Sequence, residues 1–399
     1  MGGPLRGSRW GSRGDRPLYS GCRVTPRVLV VGGGFAGWQV VKHLQGKGFE
    51  VVLLDRQPHH VFIPLLYQVA IGLMPPQVVA RPLAKLCAPH TTFVQDPVTA
   101  IDLAHQQVHT TTQRLAYDFL VLAAGSVVRS PPAGTFGLQT LEQALALRDR
   151  LEQTPHGGTW VVVGGGATGV EMAGALAEWS RWHAQSLRIL LVQSRDRLLP
   201  DLPAPLATAT IRHLQRLGVE LRLGTTVQVA DPHTAILNGD RLPCTGIIWT
   251  AGLVGTPLAY TPAVETVFKQ RLAVRPTLQL SDWDNVYAIG DLAAAKVRDR
   301  SAYLTGVAPE ALQQGVHVAR NLQRHRRGLV PQPFTYWDKG RLAVIGGYGA
   351  IGKIGPVSLT GFGPWLLWFA VHGWYLPGFA NRAKALGQWL WVYLLRRKP

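Results

Sequence analysis

RVLVVGGGFAGWQVVKHL (27–44) and TWVVVGGGATGVEMAGAL (159–176) are built to one plan. Each opens on an apolar, β-branched run, passes through three glycines and enters a helical pattern. In the first helix Val40, Val41 and Leu44 share a face; in the second, Val170, Ala173, Gly174 and Ala177 do. Each has a second apolar run behind it, FEVVLLD (49–55) and LRILLVQ (187–193). This is a β-α-β unit present twice, which predicts an α/β fold with two Rossmann-like dinucleotide-binding domains.

Within the first unit Gly32, Gly34 and Gly37 make G-x-G-x-x-G between strand and helix. The first glycine permits the tight turn, the second lets a pyrophosphate reach the backbone, and the third lets helix pack on strand. Asp55 ends the next strand, 18 residues past Gly37, where a carboxylate can accept both ribose hydroxyls of an adenosine. Gly164, Gly166 and Gly169 repeat the pattern. Two such cradles suggest two nucleotides that exchange a hydride, a flavin and a nicotinamide. A late strand, NVYAIGD (285–291), brings Gly290 and Asp291, a pair suited to a ribityl chain.

The second cradle departs from the first at LVQSRDR (191–197). Gln193 stands where a ribose-binding acid is expected, and Arg195 follows two residues later. An amide can bond a 2′-hydroxyl and does not repel a 2′-phosphate, and Arg195 could pair with one. Arg195 as a solvated loop residue is the alternative. NADH and NADPH are both open as substrates.

The bulk properties fit an enzyme of several domains. Of 399 residues 47% are hydrophobic and 16% charged, and the net charge is +18, which suits an anionic partner. Cys22, Cys87 and Cys244 form no C-x-x-C, against a disulfide framework, a zinc site or a dithiol centre; no metal is expected. No apolar run is long enough to span a bilayer. The expected organisation is a disordered basic tail at 1–26, with a transit segment as alternative. A first part of an FAD domain follows at 27–130, an NAD(P)H domain at 131–265, the second FAD part at 266–330, and, as a C-terminal appendage, an amphipathic membrane-anchoring region at 331–399.

From Arg27 onwards the chain resembles the type II NADH:quinone oxidoreductases, monotopic flavoproteins with two dinucleotide-binding domains. The stretches that carry this are HHVFIPLLYQVAIGL (59–73), GGGATGVEMAGALAE (164–178), NVYAIGDLA (285–293), APEALQQG (308–315), WLLWFAVHGWYLPGFANR (365–382) and WLWVYLLR (389–396). The resemblance implies FAD held by Gly32, Gly34, Gly37, Asp55 and Asp291, and NAD(P)H held by Gly164, Gly166 and Gly169; the strand ends themselves add Gly290 for FAD and Gln193 and Arg195 for NAD(P)H. It implies Glu171 and Gln313 as catalytic, with Gln313 and Gln314 at a quinone; Gln314 as a helix-surface residue stays open. The sequence departs from the family at Pro309 and Ile63, where the family has glutamine, and at Gln193.

The activity so implied is FAD-dependent, non-proton-pumping NAD(P)H:quinone oxidoreduction, with the helix beginning near Ala308 directing its positive end at the flavin. A soluble reductase of a ferredoxin-type carrier and a flavoprotein NAD(P)H sensor are the alternatives. The expected partners are a membrane quinone and an anionic membrane surface, with a homodimer possible and no nucleic acid. The expected location is peripheral, on the cytoplasmic face of a membrane. Trp365, Trp368, Trp374, Trp389 and Trp391 suit a headgroup boundary, and Phe379, Ala383, Leu386, Leu390 and Leu394 form an apolar helical stripe. Arg382, Lys384, Arg396, Arg397 and Lys398 could meet anionic lipid. His372 is expected to be packed rather than catalytic. The region as a core helix with a dimer interface is the alternative.

Overall fold

A computed structural model describes residues 25–297 and 302–394. The expected tail up to residue 24, with Cys22, and the terminal Arg396, Arg397 and Lys398 lie outside the described residues. The first unit runs β1 (Arg27–Val31), α1 (Phe35–Leu44) and β2 (Glu50–Asp55). The short α2 (Leu66–Ala70), β3 (Thr92–Gln95) and β4 (Phe119–Leu122) follow. β1 lies parallel between β2 and β4, and Val28, Leu29 and Val30 are fully buried. A parallel strand covered on both faces needs a continuous apolar run, and RVLVV supplies it.

The second unit is β5 (Thr159–Val163), α3 (Ala167–Trp182), β6 (Arg188–Val192), α4 (Ala204–Arg216), β7 (Val219–Arg222) and β8 (Gly246–Trp249). Its four parallel strands are ordered β7-β6-β5-β8. The chain then returns to the first sheet with β9 (Gln279–Leu280) and β10 (Trp283–Ala288). This completes the order β9-β10-β4-β1-β2-β3. β10 lies parallel to β4 and delivers Gly290 and Asp291 beside the first cradle.

α5 (Ala308–Arg326) packs on α1, where a Cβ on Gly315 would sit 2.3 Å from the Ala36 carbonyl oxygen. An extended strap then runs back along α5 with no strand partner of its own. The helix holds it with side chains about one turn apart. Arg324 donates to the Val330 carbonyl, Asn321 and His317 bond the backbone of Gln332, and Gln313 bonds that of Trp337.

The segment from Pro331 is more than an appendage. β11 (Arg341–Gly346), β12 (Gly349–Ile354) and β13 (Val357–Gly361) form an antiparallel sheet that backs directly on α3. A Cβ on Gly174 would lie 1.9 Å from the Ile345 carbonyl oxygen, so helix and strand touch backbone to backbone. α6 (Phe362–Tyr375) and α7 (Phe379–Trp389) close the fold. Among the described residues no helix is long and apolar enough to cross a membrane.

The tryptophans divide, which corrects the expectation that all five face a headgroup boundary. Trp365, Trp368 and Trp389 are buried in the core shared with α3, and only Trp374 and Trp391 are exposed. The Trp389 indole donates to the Gln68 side-chain oxygen at 2.8 Å, tying α7 to α2. An indole pays for burial when its N–H finds an acceptor. The stripe on α7 does face outward: Phe379, Ala383, Leu386 and Leu390 are all exposed. His372 stacks on Trp368 at 3.9 Å and is packed, as expected.

Candidate functional site

The two cradles share one geometry. Gly32 and Gly164 take φ of 106° and 115°, the left-handed region that L side chains avoid. A Cβ on Gly37 would stand 1.9 Å from the Gly32 carbonyl oxygen, and one on Gly169 would stand 1.8 Å from that of Gly164. These close approaches are internal to the fold. At Gly34 and Gly166 a Cβ would meet nothing within 4 Å. The second glycine therefore answers to no contact in the protein and leaves room for a group outside it. Each is the N-cap of its helix, with no side-chain cap and no acid in the first turn. Free N–H groups and the positive dipole end are thus left for an anion, and both cradles fit a dinucleotide pyrophosphate.

The residue closing each second strand also corresponds. Asp55 accepts the Gly33 N–H at 2.6 Å and the Gln57 N–H at 2.8 Å, and burial pushes its carboxyl up. In the second unit Gln193 Oε1 accepts the Gly165 N–H at 3.1 Å. Gln193 is thus the structural counterpart of Asp55 with the charge removed. Arg195 is exposed beside it.

Asp291 accepts from the Ser126 hydroxyl at 2.9 Å, and burial raises it, opposed by that bond and by the nearby Arg271. Gln314 is not a helix-surface residue: it is buried and accepts the Gly290 N–H at 2.6 Å, fixing the loop that carries Asp291. Gln313 faces the other way. Its Nε2 donates to the Trp337 carbonyl at 2.9 Å and its Oε1 accepts the Trp337 N–H at 3.0 Å. Both ends of the amide that sequence reasoning assigned to a quinone hold the strap instead.

Glu310 escaped the sequence reading. It is 2% exposed and accepts from Gly306 N–H at 2.8 Å, the Thr305 hydroxyl at 3.1 Å and Val307 N–H at 3.3 Å, with Arg341 at 3.6 Å. Its signal was present: a glutamate at the third helical position is half of a capping box, although Val307 has no side-chain oxygen to supply the other half. The expected helix terminus at Ala308 therefore carries a buried carboxylate of its own. Arg271 and Ser126 were also missed, because their partners lie 33 and 165 residues away.

Glu171 lies on α3, two residues past Gly169, between that helix and the C-terminal elements. The residue is half-buried, but its carboxyl is enclosed, and desolvation pushes it up to about 8. The Val344 backbone N–H and the Trp368 indole pull the other way. A carboxyl held neutral at physiological pH beside a nucleotide cradle can store and release a proton.

Residues 26–315 match the family described as "Pyridine nucleotide-disulphide oxidoreductase". The chain is 33% identical to the type II NADH:quinone oxidoreductase Ndh of Mycobacterium tuberculosis, over 93% of this chain and 89% of that protein. It is 26% identical to an internal alternative NAD(P)H-ubiquinone oxidoreductase of Arabidopsis thaliana mitochondria, over 93% of this chain and 85% of that one. Among solved structures it resembles NDH2 of Plasmodium falciparum in complex with NADH, with a TM-score of 0.84 at 17% identity, covering 94% of this chain and 99% of that one.

Proposed function

The chain belongs to the pyridine nucleotide-disulphide oxidoreductases, and among them to the type II NADH:quinone oxidoreductases, and from that premise we propose how its own residues perform the reaction. It is an FAD-dependent enzyme that oxidises NADH and reduces a quinone. The observation that carries the assignment of sites is the matched pair of cradles, each with room only at its second glycine. The first, with Asp55 on the adenosine ribose and Asp291 on the ribityl chain, holds FAD. The second, with Gln193 at the ribose, holds the nicotinamide nucleotide. The chemistry supplied by bound FAD is two-electron transfer between nucleotide and quinone.

The protein binds, orients and handles protons. Asp55 is pre-set by two backbone N–H groups, and its remaining lone pairs would be left to accept from the ribose hydroxyls. Gln314 and Ser126 hold Gly290 and Asp291 in place. Glu171, neutral below about 8, is the proton donor of the site. Gln313 reaches a quinone only if Trp337 releases it, so its part in the reaction is linked to the strap. The test is to purify the yellow protein and follow NADH and NADPH oxidation with a short-chain quinone. Oxidation of neither nucleotide overturns the reading.

NADPH is accepted as well, because Gln193 presents no charge to a 2′-phosphate and Arg195 stands free beside it. Gln193→Glu is expected to shift the NADH:NADPH preference in kcat/KM roughly tenfold towards NADH, equivalent to ~1.4 kcal/mol. An unchanged ratio would place the preference elsewhere.

The enzyme is peripheral and meets the bilayer through α7. Phe379 is 84% exposed, Leu386 55% and Leu390 45%, with Arg382 and Lys384 on the same helix. Because α6 and α7 also supply core tryptophans, deletion of 361–399 would confound binding with folding. Phe379→Glu with Leu386→Glu is the cleaner change. Losing two anchors worth ~1.5–3 kcal/mol each is expected to weaken partitioning onto anionic vesicles by about two to four orders of magnitude. Retained binding would assign the contact to another face. The bilayer face is the cytoplasmic one, and a homodimer is compatible with this surface.

A further inference from the structure

Each cradle has a middle glycine, Gly33 or Gly165, and both backbone groups of that glycine are engaged. The Gly33 N–H goes to Asp55 at 2.6 Å and the Gly165 N–H to Gln193 at 3.1 Å. The carbonyls are held differently. That of Gly165 accepts the Leu199 N–H at 2.8 Å, a backbone donor on a residue whose φ of 49° a leucine keeps only under constraint. The Gly33 carbonyl has no backbone donor among the described residues. It lies 2.8 Å from Nδ1 of His60, 27 residues further along the chain.

His60 is 3% exposed and firmly placed. It belongs to an antiparallel ribbon, His59–Val61 against Ala80–Pro82, in which it pairs with Arg81. Leu83, which follows the ribbon, donates to the Pro58 carbonyl at 2.8 Å. A Cβ on Gly33 would stand 2.7 Å from Leu83 Cδ1, so the ribbon also packs on the cradle. Phe35, the first residue of α1, meets the imidazole in a T-shaped contact with centroids 5.6 Å apart. Burial holds the imidazole below its ordinary value, so the ring is neutral at physiological pH and carries one proton. A carbonyl only accepts, which places that proton on Nδ1.

The Gly33–Gly34 peptide is trans, and in a trans peptide the C=O and the N–H point in opposite directions. A buried donor that draws the Gly33 carbonyl inward therefore aims the Gly34 N–H outward. That N–H has no acceptor among the described residues, and a Cβ on the same residue would meet nothing within 4 Å. Gly166 repeats the arrangement with Leu199 as the donor, and φ is −70° at Gly34 and −76° at Gly166. One backbone shape is thus held by a peptide N–H in the second cradle and by a side chain in the first. We propose that His60 is a positioning residue for FAD: its Nδ1–H fixes the Gly33–Gly34 peptide so that the Gly34 N–H is presented to the flavin's pyrophosphate. The proposal rests on the assignment of FAD to the first cradle.

His60→Asn keeps an N–H donor at the position of Nδ1, His60→Gln moves it one bond further out, and His60→Leu removes it. Flavin release from the diluted holoenzyme, read as the fluorescence of free FAD, measures the consequence. The leucine and glutamine variants are expected to hold FAD about tenfold more weakly, and the asparagine variant to stay within about twofold of the wild type, the scale of one buried hydrogen bond. Phosphorus NMR of the bound pyrophosphate should shift in the first two and not in the third. NADH affinity, set by the second cradle, should be unchanged in all three. If the leucine variant does not fold, the contrast between asparagine and glutamine carries the test. Equal losses in those two would make His60 a packing residue and overturn the proposal. So would undiminished FAD affinity in the leucine or glutamine variant, or an unmoved pyrophosphate resonance. Gly34→Val, which blocks the cradle itself, separates this from the assignment beneath it. If that variant keeps its flavin, the assignment of FAD fails. If it loses flavin while His60→Gln keeps it, only the role of His60 fails.

Discussion

Gly34→Val is expected to give a folded, colourless protein. Nothing in the chain comes within 4 Å of a Cβ at this position, and its φ of −70° is open to any residue, so the fold tolerates the change. On the proposed assignment the space is the pyrophosphate's, and a branched side chain there would keep the phosphate off the N–H groups of α1. FAD retention should fall by two orders of magnitude or more, read as flavin absorbance after gel filtration, with the far-ultraviolet circular dichroism unchanged. Gly37→Ala should do the reverse. Its Cβ overlaps the Gly32 carbonyl oxygen, so it should lower stability by about 3 kcal/mol before any effect on flavin is considered. If Gly34→Val keeps its colour, the first cradle is not where FAD lies.

Glu171→Gln is expected to lower quinone turnover by about 10²-fold while FAD stays bound, the worth of one positioned acid. The pH dependence is the sharper test. Because the folded carboxyl is raised from 4.5 to about 8, its acid form is present below about 8, and the wild-type rate should fall as pH rises through that value. The same shift makes a statement about stability. Between about 4.5 and about 8 the folded protein holds a proton that the unfolded chain has released, so this group's contribution declines with rising pH across that window and is level beyond it. The glutamine variant should lack both the alkaline limb of the rate and this slope in the denaturation midpoint. An unchanged rate with both nucleotide and quinone would remove Glu171 from the chemistry.

Both cradles were legible in the sequence because everything that makes them is local. Gly32, Gly34, Gly37 and the run before them lie within a dozen residues, and the acid or amide that completes each unit ends the next strand. The correspondence between Asp55 and Gln193 was visible for the same reason. What was not legible depended on distant partners. Gln313 and Gln314 are neighbours on one helix. Whether each meets Gly290 or Trp337 is decided by α5 packing on α1 and by a strap that comes back along it. The tryptophans of α6 and α7 read alike in composition. Burial of Trp368 and Trp389 follows from where α2 and β11 stand, which no periodicity within those helices encodes. Gly174 reads in the sequence as one more small helical residue, and only the distant Ile345 backbone packed against it requires a glycine there.

The return of the chain from the second unit to the first sheet also sets an order of events at the ribosome. β4 and β10 are neighbours in space, yet the whole of β5 to β8 is translated between them. The nucleotide-binding sheet is contiguous, so it can close while β10 is still unmade, in keeping with domains that fold as units during synthesis. The first sheet must wait with the edge of β4 unpaired, an exposed template for misassociation until the later segment arrives. Asp291 comes with that segment, so on the proposed assignment the site for FAD is complete only when most of the chain has emerged. On that assignment flavin capture is a late step in the maturation of this enzyme, and chains truncated before β10 are expected to be left without it.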